Sequence, residues 1–258
     1  MRQRASWTLL PVILAFLVSF GCSSIPNSSP QAGLAPKSFS RSGTLNITNP
    51  VASAEEDPRQ NAEAYARFAS GIAMELNEKP EAAIEQYYLS SLADPSNEPL
   101  ALEVGRQYLQ KRLYDKAILI FSNAGSLKTS TGLTHAFLAR SYLGKGETNL
   151  AIKASRVALQ KGPQLLLPYQ TLSEIYSTQG DFDSAIAVLK DGAAVNEPTP
   201  AFLLGITDLM GIMPFKTKEG SDKLRAEAVA ILDGVAARKM GNPDLLSKLG
   251  ESYVLLGQ

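Results

Sequence analysis

The fold is decided by two consecutive stretches of 34 residues, EPLALEVGRQYLQKRLYDKAILIFSNAGSLKTST at 98–131 and GLTHAFLARSYLGKGETNLAIKASRVALQKGPQL at 132–165. In both stretches tyrosine is the eleventh residue and alanine the twentieth. The same step extends to Ala83, Tyr176 and Ala185. A step this regular indicates an array of structural repeats. Each stretch contains two short amphipathic segments, which must pack against neighbouring repeats to bury their apolar faces.

Small and large residues recur at fixed places of the unit when the first unit is numbered from Ala64. Position 8 is small, and its residues are Gly71, Gly105, Ala139 and Ser173. Position 24 is mostly large, and its residues are Tyr87, Phe121, Ser155 and Leu189. Over residues 64–258 this order resembles the tetratricopeptide repeat, a 34-residue helix-turn-helix unit. The resemblance implies an all-α fold, a right-handed superhelical solenoid, although the tryptophan frequent at position 4 is missing.

The predicted array spans 61–258, with units near 64–97, 98–131, 132–165, 166–199 and 200–242 and a partial unit at 243–258. Gly205 and Gly250 both fit position 8, but they lie 45 residues apart, and Ala228 fits position 20. Eleven additional residues are therefore expected between the two helices of the fifth unit. The stretch 213–221 contains Pro and Gly, which break helices. It is interpreted as a longer turn, an extended second helix or a contact loop.

The N-terminus has the pattern of a secretory leader. Arg2 and Arg4 precede an apolar run at 7–20, which is short for a membrane-spanning helix and typical of a signal peptide at 1–21. Gly21 and then Cys22, the only cysteine, follow directly. This order resembles the lipobox of bacterial lipoproteins, which implies acylation of Cys22, for example with palmitate. Ordinary signal cleavage is also expected to cut before Cys22.

The segment that follows the leader is rich in Ser, Pro and Gly, so 22–60 is predicted to be a disordered linker behind the lipidated cysteine. Such a linker would tether the array to a membrane that the chain does not span. Ser23 stands where aspartate would retain a lipoprotein elsewhere. The resemblance therefore implies the bacterial cell envelope, with a lipid anchor in the outer membrane facing the periplasm.

Composition argues against several classes of function. The 25 basic and 25 acidic side chains cancel, so no basic field is present to hold nucleic acid. One histidine and one cysteine cannot form a zinc site of the usual kind. His135 is at position 4, where packing is the ordinary role, and 144–148 lacks the spacing of a phosphate loop. We expect no catalytic activity, no cofactor and no metal.

The resemblance also implies a binding groove, because members of the family use positions 2, 5, 9, 12 and 13 of their first helices. The lysine and asparagine of the family's carboxylate clamp are missing, so capture of a C-terminal carboxylate is not expected. Arg140 is expected either to pair with Glu174 or to contact the partner. The predicted groove residues are Phe68, Ile72, Leu102, Arg106, Leu109, Ala136, Arg140, Leu143, Gln170 and Glu174.

These observations predict a membrane-tethered scaffold or adaptor of the cell envelope that binds a protein or peptide. The alternatives are a homo-oligomeric structural spacer and an assembly factor for outer-membrane or pilus machinery. The partial unit at 243–258 predicts either a longer array or self-association through this end, because its apolar residues would otherwise lack cover. They are Leu245, Leu246, Leu249, Tyr253, Val254 and Leu256.

Overall fold

A computed structural model describes residues 58–214, 217–238 and 241–258. Within these ranges the chain forms eleven α-helices and no β-strand, which confirms the predicted all-α fold. None of the described helices is both long enough and apolar enough to span a membrane. The predicted signal peptide, Cys22 and nearly all of the predicted linker lie outside the described residues, as does Lys216.

The helices form successive antiparallel pairs, in which the first helix is named A and the second B. The A helices are α1 Pro58–Leu76, α3 Glu98–Gln110, α5 Gly132–Lys145, α7 Leu166–Thr178, α9 Pro200–Ile212 and α11 Pro243–Leu255. The B helices are α2 Pro80–Ala93, α4 Tyr114–Gly125, α6 Thr148–Lys161, α8 Phe182–Ala193 and α10 Lys218–Ala236.

The helix starts repeat with the period that the sequence shows. From α3 to α9 each A helix begins 34 residues after the previous one, and from α2 to α8 so does each B helix. The starts are fixed locally, because the side chains of Asn97 and Thr131 accept hydrogen bonds from the first turns of α3 and α5. Helix pairs at this step are the tetratricopeptide type of fold. α1 begins at Pro58, six residues before Ala64.

Positions 8 and 24 meet inside each of the first two pairs. A Cβ atom on Gly71 would lie 2.5 Å from the ring of Tyr87, and one on Gly105 would lie 2.3 Å from the ring of Phe121. The glycine therefore lets the ring of the B helix rest on the backbone of the A helix, as the alternation of small and large residues predicts. Buried side chains on neighbouring pairs then form two continuous apolar cores, one over α2–α5 and one over α7–α11.

The fifth pair is nine residues longer than the others, not eleven as the sequence suggested. α11 begins 43 residues after α9, which is nine more than the regular step. Thr207 lies seven residues after the start of α9, as Gly105 does in α3, and it is fully buried. Gly205 instead faces Leu166 of α7. The register was misassigned because threonine also meets the requirement for a small residue at position 8.

Most of this insertion extends α10. Lys218 lies ten residues before the buried Ala228, whereas Phe182 lies three residues before Ala185, so α10 gains seven residues at its start. The connection 213–217 is two residues longer than 179–181. The extended second helix, one of the interpretations that the sequence left open, is therefore the main form that the insertion takes.

α11 covers more of its apolar surface than the sequence suggested. Leu249 and Leu256 are buried in the core over α7–α11, and Leu245 and Tyr253 pack against it. Leu246 and Val254 remain exposed, at 51% and 73%. Leu256 is covered because it packs on Gly211 of α9, where a Cβ atom would lie 3.0 Å from its Cδ2. The expectation of an uncovered helix therefore holds for only part of its surface.

Candidate partner-binding surface

Four of the A helices, α3, α5, α7 and α9, lie next to one another and present one continuous surface. α3 contacts α5, α5 contacts α7, and α7 contacts α9. We name the helix-A wall the surface at positions 2, 5, 9, 12 and 13 of α1, α3, α5, α7 and α9. Nine of the ten predicted groove residues lie on it at least partly exposed; they are Phe68, Ile72, Leu102, Arg106, Leu109, Arg140, Leu143, Gln170 and Glu174.

Ala136 is the exception among the predicted groove residues. It is fully buried, with no exposed surface, and so cannot contact a partner. The other residues predicted at position 5 have longer side chains and are at least partly exposed; they are Phe68, Leu102 and Gln170. Family position alone therefore placed Ala136 in the groove wrongly, because exposure at position 5 depends on the length of the side chain.

Position 9 forms a column of polar side chains across the wall. Arg140 of α5 donates to Glu174 of α7, which lies 34 residues later in the sequence, so equivalent positions of neighbouring units meet. Asp208 of α9 binds Lys248 at 2.7 Å and accepts a hydrogen bond from Ser252 at 2.7 Å. The pairing alternative for Arg140 and Glu174 is therefore present, and it leaves both side chains about a third to a half exposed.

Arg106 differs from the other charged residues of this column. It is exposed on α3, and it has no carboxylate partner among the described residues. Its guanidinium carbon lies 5.7 Å from the centre of the Phe137 ring, a cation–π contact that leaves its hydrogen-bond donors free. Half-buried Leu102 and Leu109 are on the same face of α3. This part of the wall offers an unpaired cation beside an apolar floor.

Phe137 is a residue that the sequence interpretation missed. Its ring stacks on Phe121 with centroids 5.7 Å apart and also supports Arg106. Position 6 is not among the family's groove positions, so the motif gave no indication of it. The ring holds the arginine because a large residue at this place reaches back toward the preceding A helix.

A cleft of about 350 Å³ opens between α7 and α9 at the other end of the wall. Its floor contains Leu209 and Met213, each 9% exposed, and Glu174 lies at its edge. The sequence interpretation missed the α9 side because none of its predicted groove residues lies in the fifth unit. The residues that line the cleft are Gln170, Ser173, Glu174, Ser177, Thr178, Leu209, Ile212, Met213 and Pro214.

His135 lies in a polar junction between the second and third pairs. Its Nε2 atom is 3.2 Å from Ser130 Oγ, and Lys161 Nζ donates to the Ser130 carbonyl at 2.6 Å. Burial, followed by the nearby charge of Lys161, lowers the pKa of His135. Burial alone would raise the pKa of Glu98, but hydrogen bonds from Thr134 and Thr131 bring it below its ordinary value. These contacts tie the two pairs together.

A second charged cluster joins the first two pairs. Lys116 donates to Glu85 at 2.6 Å and lies over the rings of Tyr88 and Tyr108, at 4.7 and 5.0 Å from their centres. Burial and the hydrogen bond to Glu85 raise the pKa of Tyr108 to about 12. No group of His, Cys, Asp and Glu in the described part of the chain could hold a metal ion. The cluster contains side chains of α2, α3 and α4 and so links the first two pairs.

No family model matches this chain, and no curated protein matches it either. Among solved structures, two crystal structures of MamA are similar, with 21% and 18% identity and TM-scores of 0.46 and 0.49. They cover 71% and 70% of this chain and 96% and 97% of theirs. TTC0263, a thermophilic TPR protein in Thermus thermophilus, has 16% identity and a TM-score of 0.44, covering 74% of this chain and 99% of its own. The assignment to the tetratricopeptide type rests on the helix pairs and their step.

Proposed function

We propose that this chain is a scaffold that binds a protein or peptide segment on the helix-A wall and is held at the bacterial cell envelope by a lipid on Cys22. The observation that carries the binding proposal is Arg106. An exposed guanidinium that lies over the Phe137 ring with free donors, beside Leu102 and Leu109, can bind a carboxylate while apolar groups of the same partner pack on the leucines.

A charge reversal at Arg106 tests this proposal. Affinity capture from membranes with the intact chain should recover a partner, and Arg106→Glu should abolish the capture because it places a carboxylate against the partner's acidic group. Arg156→Glu makes the same charge change at an exposed place on α6, away from the wall, and should leave capture intact. Equal capture by the wild type and a folded Arg106→Glu variant would exclude this surface.

Arg140 is a poorer test residue than Arg106, because it is paired with Glu174. Arg140→Glu would bring two carboxylates together, so lost capture could reflect repulsion within the wall. The single substitution at Arg106 avoids this ambiguity.

The membrane anchor is supported by the order Arg2, Arg4, apolar run, Gly21 and Cys22 in the sequence. Multiple acyl chains on one cysteine hold a protein firmly, whereas a single chain holds it marginally. Cys22→Ser should move the folded array from the membrane pellet to the soluble envelope fraction. Retention of that variant in the pellet, together with no uptake of labelled palmitate by the wild type, would contradict the anchor.

A second candidate function is self-association as a structural spacer, which the exposed apolar residues of α11 favour. Leu246, Val254 and Leu255 are 51%, 73% and 41% exposed. Light scattering at rising concentration should then show dimers or larger species that Val254→Glu disperses. A monomer at every concentration would count against the spacer and leave the binding proposal unaffected.

A further inference from the structure

The cleft between α7 and α9 differs in chemistry from the rest of the wall. Its floor is apolar, formed by Leu209 and Met213. Its α7 side carries hydroxyl groups whose protons are already used within the protein. Ser177 Oγ donates to Met213 Sδ at 3.5 Å, and Thr178 Oγ1 donates to the Glu174 carbonyl at 2.7 Å. The oxygen lone pairs of these groups remain as hydrogen-bond acceptors toward the cleft.

Glu174 adds a negative charge at the edge of this cleft. One of its carboxylate oxygens, Oε2, is bound by Arg140, and its side chain is still 46% exposed. A carboxylate has about four lone-pair positions, so it can accept further hydrogen bonds. None of the described residues that line the cleft is a lysine or an arginine. The cleft therefore combines an apolar floor with acceptors and a partly neutralised carboxylate.

We propose that this cleft is a subsite for a lysine or arginine side chain of the segment that binds the helix-A wall, and this proposal rests on the proposed function. Such a side chain has an apolar stem for Leu209 and Met213 and a cationic head for Glu174 and the hydroxyl oxygens. An aliphatic side chain would satisfy the floor but leave the acceptors without donors.

The same surface sets the spacing of charged residues in the bound segment. Arg106 on α3 requires an acidic group, whereas the cleft beyond α7 requires a basic one. Packed helices lie about 8–10 Å apart, so Arg106 and the cleft are separated by roughly 20–25 Å. An extended segment covers that distance with about seven residues at ~3.3 Å each. The preferred segment therefore carries an acidic residue and a basic residue about seven positions apart.

Fluorescence polarisation with labelled synthetic peptides tests the subsite. The probe is a polar fifteen-residue peptide whose only charged side chains are one aspartate and one arginine, seven positions apart. Its controls replace arginine by norleucine, which keeps an apolar stem without the charge, or reduce the spacing to three. The intact chain should bind the probe about tenfold or more tightly than either control, since a hydrogen bond to a charged group typically contributes that much.

Two variants of the protein should change this preference in opposite directions. Glu174→Gln should remove the advantage of arginine over norleucine. Arg140→Gln should increase it, because Glu174 then loses its internal partner. Both variants should melt close to the wild type, since exposed ion pairs contribute little to stability.

The outcomes separate the subsite from the scaffold. If Arg106→Glu weakens binding of the probe but Glu174→Gln leaves the preference for arginine unchanged, the subsite proposal is wrong and the proposal that the helix-A wall binds a partner is retained. If Arg106→Glu also has no effect on the probe or on capture from membranes, both proposals fail. Binding of none of the peptides would overturn the subsite, while capture from membranes would still decide the scaffold.

Discussion

The first two helix pairs and the last described helix use the same glycine position in different ways. Gly71 and Gly105 each receive an aromatic ring from their own B helix. Gly250 occupies the equivalent place in α11, seven residues after the start of the helix, but beyond its chain neighbours and its own helix backbone no described heavy atom lies within 4 Å of where its Cβ would be. The repeated residue therefore marks a position in the unit, and only the residue opposite decides whether that position is a close packing contact.

Substitutions on the buried and exposed sides of α11 should show the largest difference in stability. Leu256→Glu places a carboxylate in the core against α9 and should cost about 3 kcal/mol or more, releasing α11. Val254→Glu lies two residues away at a 73% exposed site and should change stability by under about 0.5 kcal/mol. Hydrogen exchange of the α11 amides measures both variants. Equal protection in the two would mean that α11 is not docked as described.

The glycine comparison itself can be tested with alanine. Gly105→Ala should destabilise the array by about 1–3 kcal/mol, because the fully buried Phe121 ring, stacked on Phe137, has little room to move. Gly250→Ala should stabilise α11 by roughly 0.5–1 kcal/mol, because alanine favours a helix and meets nothing. Urea unfolding of the two variants should therefore give shifts of opposite sign. A stabilising Gly105→Ala would refute the close contact between Gly105 and Phe121.

A smaller effect on stability should distinguish a buried serine of the third pair from one of the first pair. The hydroxyl of Ser155, at position 24, is buried and has no hydrogen-bond partner among the described residues. The hydroxyl of Ser90 donates to the Ala64 carbonyl at 2.8 Å. Ser155→Ala should raise the unfolding free energy by about 1 kcal/mol, and Ser90→Ala should lower it by about 1 kcal/mol. Thermal melts that move in the same direction would indicate that Ser155 has a partner.

The change of unfolding free energy with pH should be the smallest of these stability effects, and it should arise at the junction between the second and third pairs. The lowered pKa of His135 means that the folded state favours neutral imidazole, with Glu98 and Lys161 as the charged groups nearby. Its contribution is complete above about pH 6.5 and is lost as pH falls through the lowered folded pKa. As the pH is lowered from about 7.5 to 5.5, the urea concentration at the unfolding midpoint should decrease in the wild type and stay constant in His135→Gln. A midpoint that rises in this window would contradict the burial of His135.

The regular half of the array could be predicted because its sequence requirements are local and repeated. A small residue at position 8 and a large one at position 24 follow from the contact between Gly105 and Phe121, which Gly71 and Tyr87 also make 34 residues earlier. The register of the fifth unit could not be predicted from Gly205, since Thr207 meets the same steric requirement. The extension of α10 depends on where a helix begins, which Pro and Gly alone do not determine.

The wall was predictable only in part for a different reason. Family positions identified Arg106 and the pair of Arg140 with Glu174, because equivalent residues of neighbouring A helices meet. They could not show that Ala136 is covered or that Phe137 holds Arg106, because both depend on side-chain size at a single unit. The lipid anchor at Cys22 stays a prediction from the sequence.

Site-specific photo-crosslinking tests the central claim, that the helix-A wall is the binding surface, most directly. Benzoylphenylalanine is placed at Gln110, which is exposed at position 13 of α3, and in a matched variant at Gln160, which is exposed on α6. Irradiation of intact membranes should give a discrete adduct from position 110 that Arg106→Glu removes, and none from position 160. An adduct from position 160 alone, or one from position 110 that persists in Arg106→Glu, would contradict the proposed surface.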